Sequence, residues 1–449
     1  MNPEHEPPRV LGGLDAFSVV VGGAVGVGIF FTPSRVAQIV GTSGLALAAW
    51  TLAGAIALCG ALSFAELGGL YHGSGAQYTI LRDAYGPLLV YVICNATAVQ
   101  GGAIAIIGIV CSMNLGIATT GQAPTGVALF GLATAIIVGL TAANIVGVRV
   151  GSRIQNMTTA AKITTLVAVA LLAATVPAHG ETEAPRAGAI GAVGSVLAAL
   201  VPAFFTYSGW QQALWVAGEV RVPRLTLPRA IVSGVLTVIV IYLFANWAYL
   251  HLLGARGVGA SEALAADAVA AVWPTTGRRA VAAAVAVSSF GVLNAQLLAG
   301  PRLIHGMARD RRFFAIFRTL SARTGTPIAS IALLGGTALV LLLTAGTQGV
   351  IGRLLNGVVF IDGIFFVLAG AALFVVRRKR PDADRPVRVP GYPFVPLAFV
   401  IGEVGVVAGS YVDPEVRSAT LIGVLWLAVA TGLYLAKFRE QSPESAPLR

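Results

Sequence analysis

The sequence predicts an all-α integral membrane protein: twelve transmembrane helices, two sets of five in opposite orientation followed by a final pair. Three observations carry this. The chain has 449 residues, of which 56% are hydrophobic and 11% charged, with a mean hydropathy of +0.82. Repeated membrane helices produce that balance and soluble domains do not. Apolar runs recur along the whole chain. Two of them are interrupted at matching places, as Val25-Gly26-Val27-Gly28-Ile29 and as Phe205-Thr206-Tyr207-Ser208-Gly209-Trp210.

Taken in order, the spans lie near residues 11–38, 43–70, 87–118, 124–146, 154–177, 190–217, 227–253, 279–308, 328–346, 350–376, 393–412 and 418–437. At about 1.5 Å per residue each is long enough for a hydrocarbon layer of roughly 30 Å. With the N-terminus placed in the cytoplasm, 22 of the 30 Lys and Arg residues fall on the inner side, 7 on the outer side and Lys162 within a span. This positive-inside bias puts both termini in the cytoplasm. Five spans precede the second interruption, and five is odd, so spans 6–10 start on the opposite side from spans 1–5. The expected organisation is a tail over 1–10, a first repeat over 11–177, a second inverted repeat over 190–376, a basic loop over 377–392, a terminal pair over 393–437 and a tail over 438–449.

Other classes fit less well. The net charge of +11 is spread between apolar runs without interleaved aromatics, which argues for a topology signal and against a nucleic-acid partner. Cys59, Cys94 and Cys111 all fall in apolar runs and read as small buried hydrophobes. The polar segment Met1–Arg9 leads into a span too long for a signal-peptide core. Gly26-Val27-Gly28 lacks a third glycine, since Phe31 stands there, and no strand precedes it, so a dinucleotide loop is excluded. No histidine spacing suggests a metal, and no cofactor is expected.

The interruptions carry the chemistry. Hydrocarbon offers no partner to a peptide group, so a helix broken at membrane depth needs protein, water or a ligand. Gly26 and Gly28 permit unwinding, which frees N–H groups from about Val27 to Phe30. Such a helix start carries about half a positive charge and binds carboxylates. Carbonyls of Ala24, Phe205 and Ser208 are the matching acceptors for an ammonium. A donor cluster beside an acceptor cluster suits an α-amino acid zwitterion. The alternative is that these glycines only let helices pack closely; the paired second interruption favours a site.

Charged residues inside spans come next. Lys162 costs at least about 2.5 kcal/mol in a membrane unless it faces a partner or cavity. It is either a buried functional amine, with proton carriage among its roles, or a snorkelling anchor near a span end. Asp362 lies midway along span 10. It could pair with a cation, carry a proton, contact a substrate amine, or bond another helix in its protonated form. Glu403 reads as structural. Glu66 and Glu219 read as arginine partners at helix ends, for instance of Arg221, Arg224 and Arg229.

At these residues the chain resembles the amino acid–polyamine–organocation superfamily with its LeuT-type 5+5 inverted repeat, over about Leu11 to Arg439. Within that superfamily it is most similar to the L-type amino acid transporters and their bacterial relatives. The resemblance is carried by Gly26-Val27-Gly28-Ile29-Phe30, Ser63-Phe64-Ala65-Glu66-Leu67, Ser74-Gly75-Ala76-Gln77-Tyr78, the second interruption with Gly218-Glu219-Val220, Ser289-Phe290-Gly291 with Asn294 and Arg302, and Val389-Pro390-Gly391-Tyr392-Pro393. It implies a carboxylate on the amides of Val27, Gly28 and Ile29, and an amine on the carbonyls of Ala24, Phe205 and Ser208. It further implies Phe205 as an aromatic gate, with Gly209, Trp210 and Gln211 beside the pocket. Lys162 would replace a sodium ion, with Ser288 or Ser289 nearby, which implies sodium-independent transport. Two departures are Val27, where the family has a hydroxyl or small residue, and Asp362, where relatives commonly have a neutral one. The segment Thr119 to Pro124 has no cysteine, so no disulfide-linked glycoprotein subunit is expected.

The first reading is therefore a permease for L-amino acids, neutral ones foremost, in the cytoplasmic membrane, working by alternating access as an exchanger or proton symporter. The others are a cationic amino-acid or polyamine carrier, prompted by Asp362, and a nutrient receptor that does not transport. An embedded enzyme would need a cluster of polar catalytic groups that the spans lack.

Overall fold

The computed structural model describes residues 7–91, 101–178, 191–261, 263–273, 276–344, 348–412 and 414–437. Cys94, His179, Arg186 and most of both tails lie outside the described residues. Among those residues regular structure is helical, apart from one parallel bridge between Leu11 and Val220.

The first half contains α1 (Gly13–Ala24), α2 (Thr32–Val40), α3 (Ser43–Leu70), α4 (Ala76–Tyr85), α5 (Gly101–Thr120), α6 (Gly126–Val146) and α7 (Val148–Ala174). The second contains α8 (Gly191–Thr206), α9 (Gln212–Trp215), α10 (Pro223–Ala260), α11 (Leu264–Ala270), α12 (Gly277–Arg309), α13 (Ile328–Thr344) and α14 (Gln348–Lys379). Then come α15 (Phe394–Val412) and α16 (Pro414–Lys437). Among the described residues six helices, α3, α5, α6, α7, α10 and α12, are long and apolar enough to cross a membrane on their own. The chain is a multi-pass membrane protein. The short helices α4 and α11 lie between longer ones, outside the twelve expected spans.

Small residues let these helices approach. A Cβ built on Gly54 of α3 would stand 3.2 Å from Ile239 of α10, and one on Gly234 of α10 would stand 2.4 Å from Val20 of α1. Without a hydrophobic drive between helices in lipid, close packing of this kind is the main source of association.

One end of the bundle is tied by buried charge. Arg302 on α12 donates to Glu219 at 3.0 and 3.3 Å, with both side chains about 1% exposed. Glu66 at the end of α3 receives Arg377 at 2.9 and 2.5 Å and the Val389 N–H at 2.7 Å, with Arg385 at 3.1 Å. These are not the arginines the sequence suggested. Arg221 and Arg224 are exposed, and Arg224 pairs with Asp384. Nearby, Arg380 meets Asp83 at 2.8 Å, and burial, aided by Asp83, pushes the Tyr71 phenol up to about 12. Finally, the Leu11 N–H donates to Glu219 O and the Arg221 N–H to Leu11 O, both at 2.8 Å. That pair fastens the chain before α1 to the chain after α9.

Candidate functional site

Both α1 and α8 stop inside the bundle. After Ala24, residues 25–27 leave the helix, a 3-10 turn covers Gly28–Phe30, and α2 follows. After Thr206, residues 207–211 are non-helical, and the four-residue α9 follows. The two interruptions touch backbone to backbone. A Cβ on Gly209 would stand 2.3 Å from Gly23 O, and one on Gly23 would stand 2.7 Å from Gly209 O. Gly209 also has φ +107, in the left-handed region where a side chain is strained. Gly28 faces Thr206, whose Cγ2 would be 2.9 Å from an added Cβ.

Peptide groups divide cleanly here. Gly26 N–H donates to Ala24 O at 2.8 Å and Phe30 N–H to Val27 O at 3.0 Å. The N–H groups of Val27, Gly28 and Ile29 have no backbone acceptor among the described residues. On the acceptor side the three expected carbonyls differ. Ala24 O takes Gly26 N–H and the Tyr242 hydroxyl, both at 2.8 Å. Phe205 O takes the Ser208 N–H at 3.1 Å and its hydroxyl at 2.7 Å. Ser208 O has no donor among the described residues.

Lys162 is buried, 3% exposed. Its ammonium donates to Gly22 O at 2.9 Å and Val25 O at 2.7 Å. These carbonyls belong to the end of α1, where the last turn has no helical donors and the dipole is negative. The residue is therefore a bonded amine and not a snorkelling anchor. Ser288 donates to Val25 O at 3.2 Å and Gly26 O at 3.3 Å, so it shares the lysine's acceptor. Ser289 turns back to Val285 O of its own helix at 2.8 Å. Gly291 of α12 makes room, since a Cβ there would lie 2.9 Å from Lys162 Cε.

The remaining expected residues are spread wider. Trp210 is buried, with its ring 4.9 Å from Phe64 and 5.6 Å from Phe366. Gln211 is buried with its Oε1 unpartnered. Phe205 is 44% exposed, so its ring projects away from the packed core. Asp362 sits on α14 one turn before Phe366, and Glu403 is buried on α15.

Several residues were missed. Gln155 and Thr159 of α7 donate to Ser18 O at 3.3 and 3.1 Å, and Asn294 bridges Gln155 Oε1 and Gly151 O, both at 2.9 Å. With Lys162 they form one polar face of α7 at i, i+4 and i+7; that spacing was visible in the sequence. Tyr242 was not singled out, because one tyrosine in an apolar span carries no pattern.

An all-helical bundle in which α1 and α8 end, with Gly23 and Gly209 meeting through backbone, has a counterpart of the same fold among solved structures. Mhp1, a nucleobase-cation-symport-1 family transporter captured closed with bromovinylhydantoin, superposes with a TM-score of 0.56 at 15% identity over 96% of each chain. The sequence relation is more specific: residues 11–421 match the amino acid permease family, and the chain belongs to it. Among its relatives the serine/threonine exchanger SteT of Bacillus subtilis is 28% identical over 95% of this chain and 97% of its own length. The human b(0,+)-type amino acid transporter 1 is 30% identical over 85% of this chain and 79% of its own. The human cystine/glutamate transporter is 30% identical over 89% and 80%. The chain is accordingly a transporter and not an enzyme.

Proposed function

We propose that this chain moves L-amino acids, neutral ones foremost, across the cytoplasmic membrane by alternating access, without sodium, as an exchanger or proton symporter. The single observation that carries this reading is the run of N–H groups at Val27, Gly28 and Ile29 with no backbone acceptor among the described residues, packed beside the second interruption through the Gly23–Gly209 contact. The amides take the carboxylate. The ammonium is held by Ser208 O, with Ala24 O and Phe205 O becoming available as their present donors yield. Gly26 and Gly209 keep the cradle free of side chains; Phe205 gates it, and Trp210 and Gln211 line it. The relatives' names cover serine, threonine, cystine and glutamate. What those share is the α-amino acid group, which is what a backbone cradle recognises.

Lys162, with Ser288, supports sodium independence: a fixed ammonium already satisfies the carbonyls that a metal cation would need. In this reading residues 11–177 and 190–376 are the inverted repeats, α1 with α2 and α8 with α9 are their broken first helices, and twelve spans leave both termini in the cytoplasm. Ser289, bonded within its own helix, has a lesser part. No disulfide-linked subunit is needed, since no cysteine lies in Thr119 to Pro124. A cationic amino-acid or polyamine carrier is the second reading. It is favoured by Asp362 one turn from the Phe366 ring that packs on Trp210.

Counterflow in proteoliposomes tests both. Preloaded leucine or serine should drive uptake of labelled neutral amino acids with sodium or choline alike. Uptake driven only by arginine or putrescine would replace the first reading with the second. No exchange of any amino acid would remove both.

A further inference from the structure

The junction between α6 and α7 and the loop of residues 320–325 face the segment before α1 across a cavity of about 640 Å³. Thr326 ties that loop to the end of α6, since its hydroxyl donates to Ile145 O at 3.3 Å. Pro8 closes the opposite wall. A Cβ on Gly325, whose φ is +67, would stand 2.3 Å from the Pro8 ring. Arg149 and Arg323 line the cavity, and Arg9 lies between two further lining residues, Pro8 and Val10. Neither Arg149 nor Arg323 makes a side-chain hydrogen bond or ion pair among the described residues, and no described lining residue is acidic. Helix α7 also begins here. Its N-cap, Gly147, has no side chain to offer, and the N–H groups of Val148 and Arg149 have no acceptor among the described residues. That end of the helix carries the positive half of the dipole.

Position selects the anion. Helices α6 and α7 are both long and apolar enough to cross a membrane, so their junction stands at the level of the lipid headgroups. Val10, Val146, Val150 and Leu320 share the lining with the arginines. Such a wall suits a glycerol backbone and the start of an acyl chain, and a free ion has no use for it. A choline or ethanolamine headgroup would bring a cation that finds no acid here. We propose that this cavity binds the headgroup of an anionic phospholipid of the phosphatidylglycerol class, with its phosphate on Arg149 and Arg323 and on the amides that open α7. Guanidinium groups match phosphate oxygens in charge and in geometry. Pro8 and Val10 belong to the same cavity, and Leu11 is bonded to Glu219 and Arg221. A seated lipid therefore holds the approach to α1 against the α6–α7 junction. The site stands whether or not the cradle takes amino acids.

Native mass spectrometry of the full-length protein tests this, with titrations of short-chain phosphatidylglycerol and of phosphatidylcholine carrying the same chains. Wild type should bind one phosphatidylglycerol roughly twenty-five-fold more tightly than phosphatidylcholine, about fivefold for each of two arginines at an anionic lipid surface. Arg149→Gln and Arg323→Gln should each remove about fivefold, and the double variant should show no preference. Arg378→Gln removes an exposed arginine of α14 outside the cavity and should change nothing. Inorganic phosphate and glycerol 3-phosphate at the lipid's concentration should not displace it. Should the glutamine variants fail to fold, Ser321→Asp keeps an acceptor for the Thr324 N–H, adds an acid to the cavity and should weaken phosphatidylglycerol binding by at least fivefold. Equal affinity for the two lipids, a preference that survives the double variant, or an equal loss in Arg378→Gln would overturn the proposal. Displacement by glycerol 3-phosphate would overturn it too, by assigning the cavity to a soluble anion.

Discussion

The Lys162 ammonium donates to Val25 O at 2.7 Å, on the residue that caps the C-terminal end of α1, and Ser288 donates to the same oxygen at 3.2 Å. One carbonyl thus joins α1, α7 and α12 where the first helix unwinds. The ammonium there lies against the negative end of the α1 dipole and satisfies carbonyls that the break leaves without helical donors.

Replacing Lys162 by Met keeps the length of the side chain and removes the charge. Gly22 O then loses the one donor it has among the described residues, and Val25 O keeps Ser288. Leaving buried acceptors unmade costs about 1–3 kcal/mol each. Exchange should fall about a hundredfold, and sodium should not restore it. Normal exchange in Lys162→Met would assign the residue to packing.

Gly28 and Gly209 should tolerate no side chain, for different reasons. A Cβ on Gly28 strikes Thr206 at 2.9 Å, so Gly28→Val should abolish uptake while membrane insertion, read by surface or membrane yield, persists. At Gly209 both φ +107 and the 2.3 Å approach of Gly23 O forbid it. Gly209→Ala should lose transport and also lower the melting temperature, because the backbone contact itself must open. Equal activity in either variant would show that the two breaks are not in functional contact.

Glu219 and Arg302 are both buried, whereas Arg224 and Asp384 are 45% and 83% exposed in their side chains. Breaking a buried pair strands an uncompensated charge at about 3–5 kcal/mol, while an exposed pair is worth about 0–1 kcal/mol. Glu219→Gln should therefore destabilise the protein strongly, and Arg224→Ala should leave thermal stability nearly unchanged. The measurement is a melting curve of each purified variant in the same detergent.

Asp362 separates the two substrate readings. In a neutral exchanger, leucine and alanine compete for labelled substrate better than arginine and putrescine, and Asp362→Asn keeps that order. An arginine preference that disappears in Asp362→Asn would favour the cationic carrier.

Much of this was legible in the sequence because membrane physics is severe. Apolar length marks helices, and glycines at 26, 28 and 209 sit where helices α1 and α8 have ended. Lys162 stood out because charge in a span is costly. Other features left no one-dimensional trace. The partners of Glu66 are Arg377 and Arg385, more than three hundred residues away, and sequence proximity pointed to the wrong arginines. The filled state of Ala24 O was equally hidden, since its donor is a tyrosine on α10 that looks like any other core aromatic.

The most direct test of the central claim is a structure of the protein with a transported amino acid bound. The account predicts the substrate carboxylate within hydrogen-bonding distance of the N–H groups of Val27, Gly28 and Ile29, and the ammonium beside the carbonyls at the ends of α1 and α8. A substrate bound elsewhere in the bundle, with those three amides turned to protein or water, would contradict it.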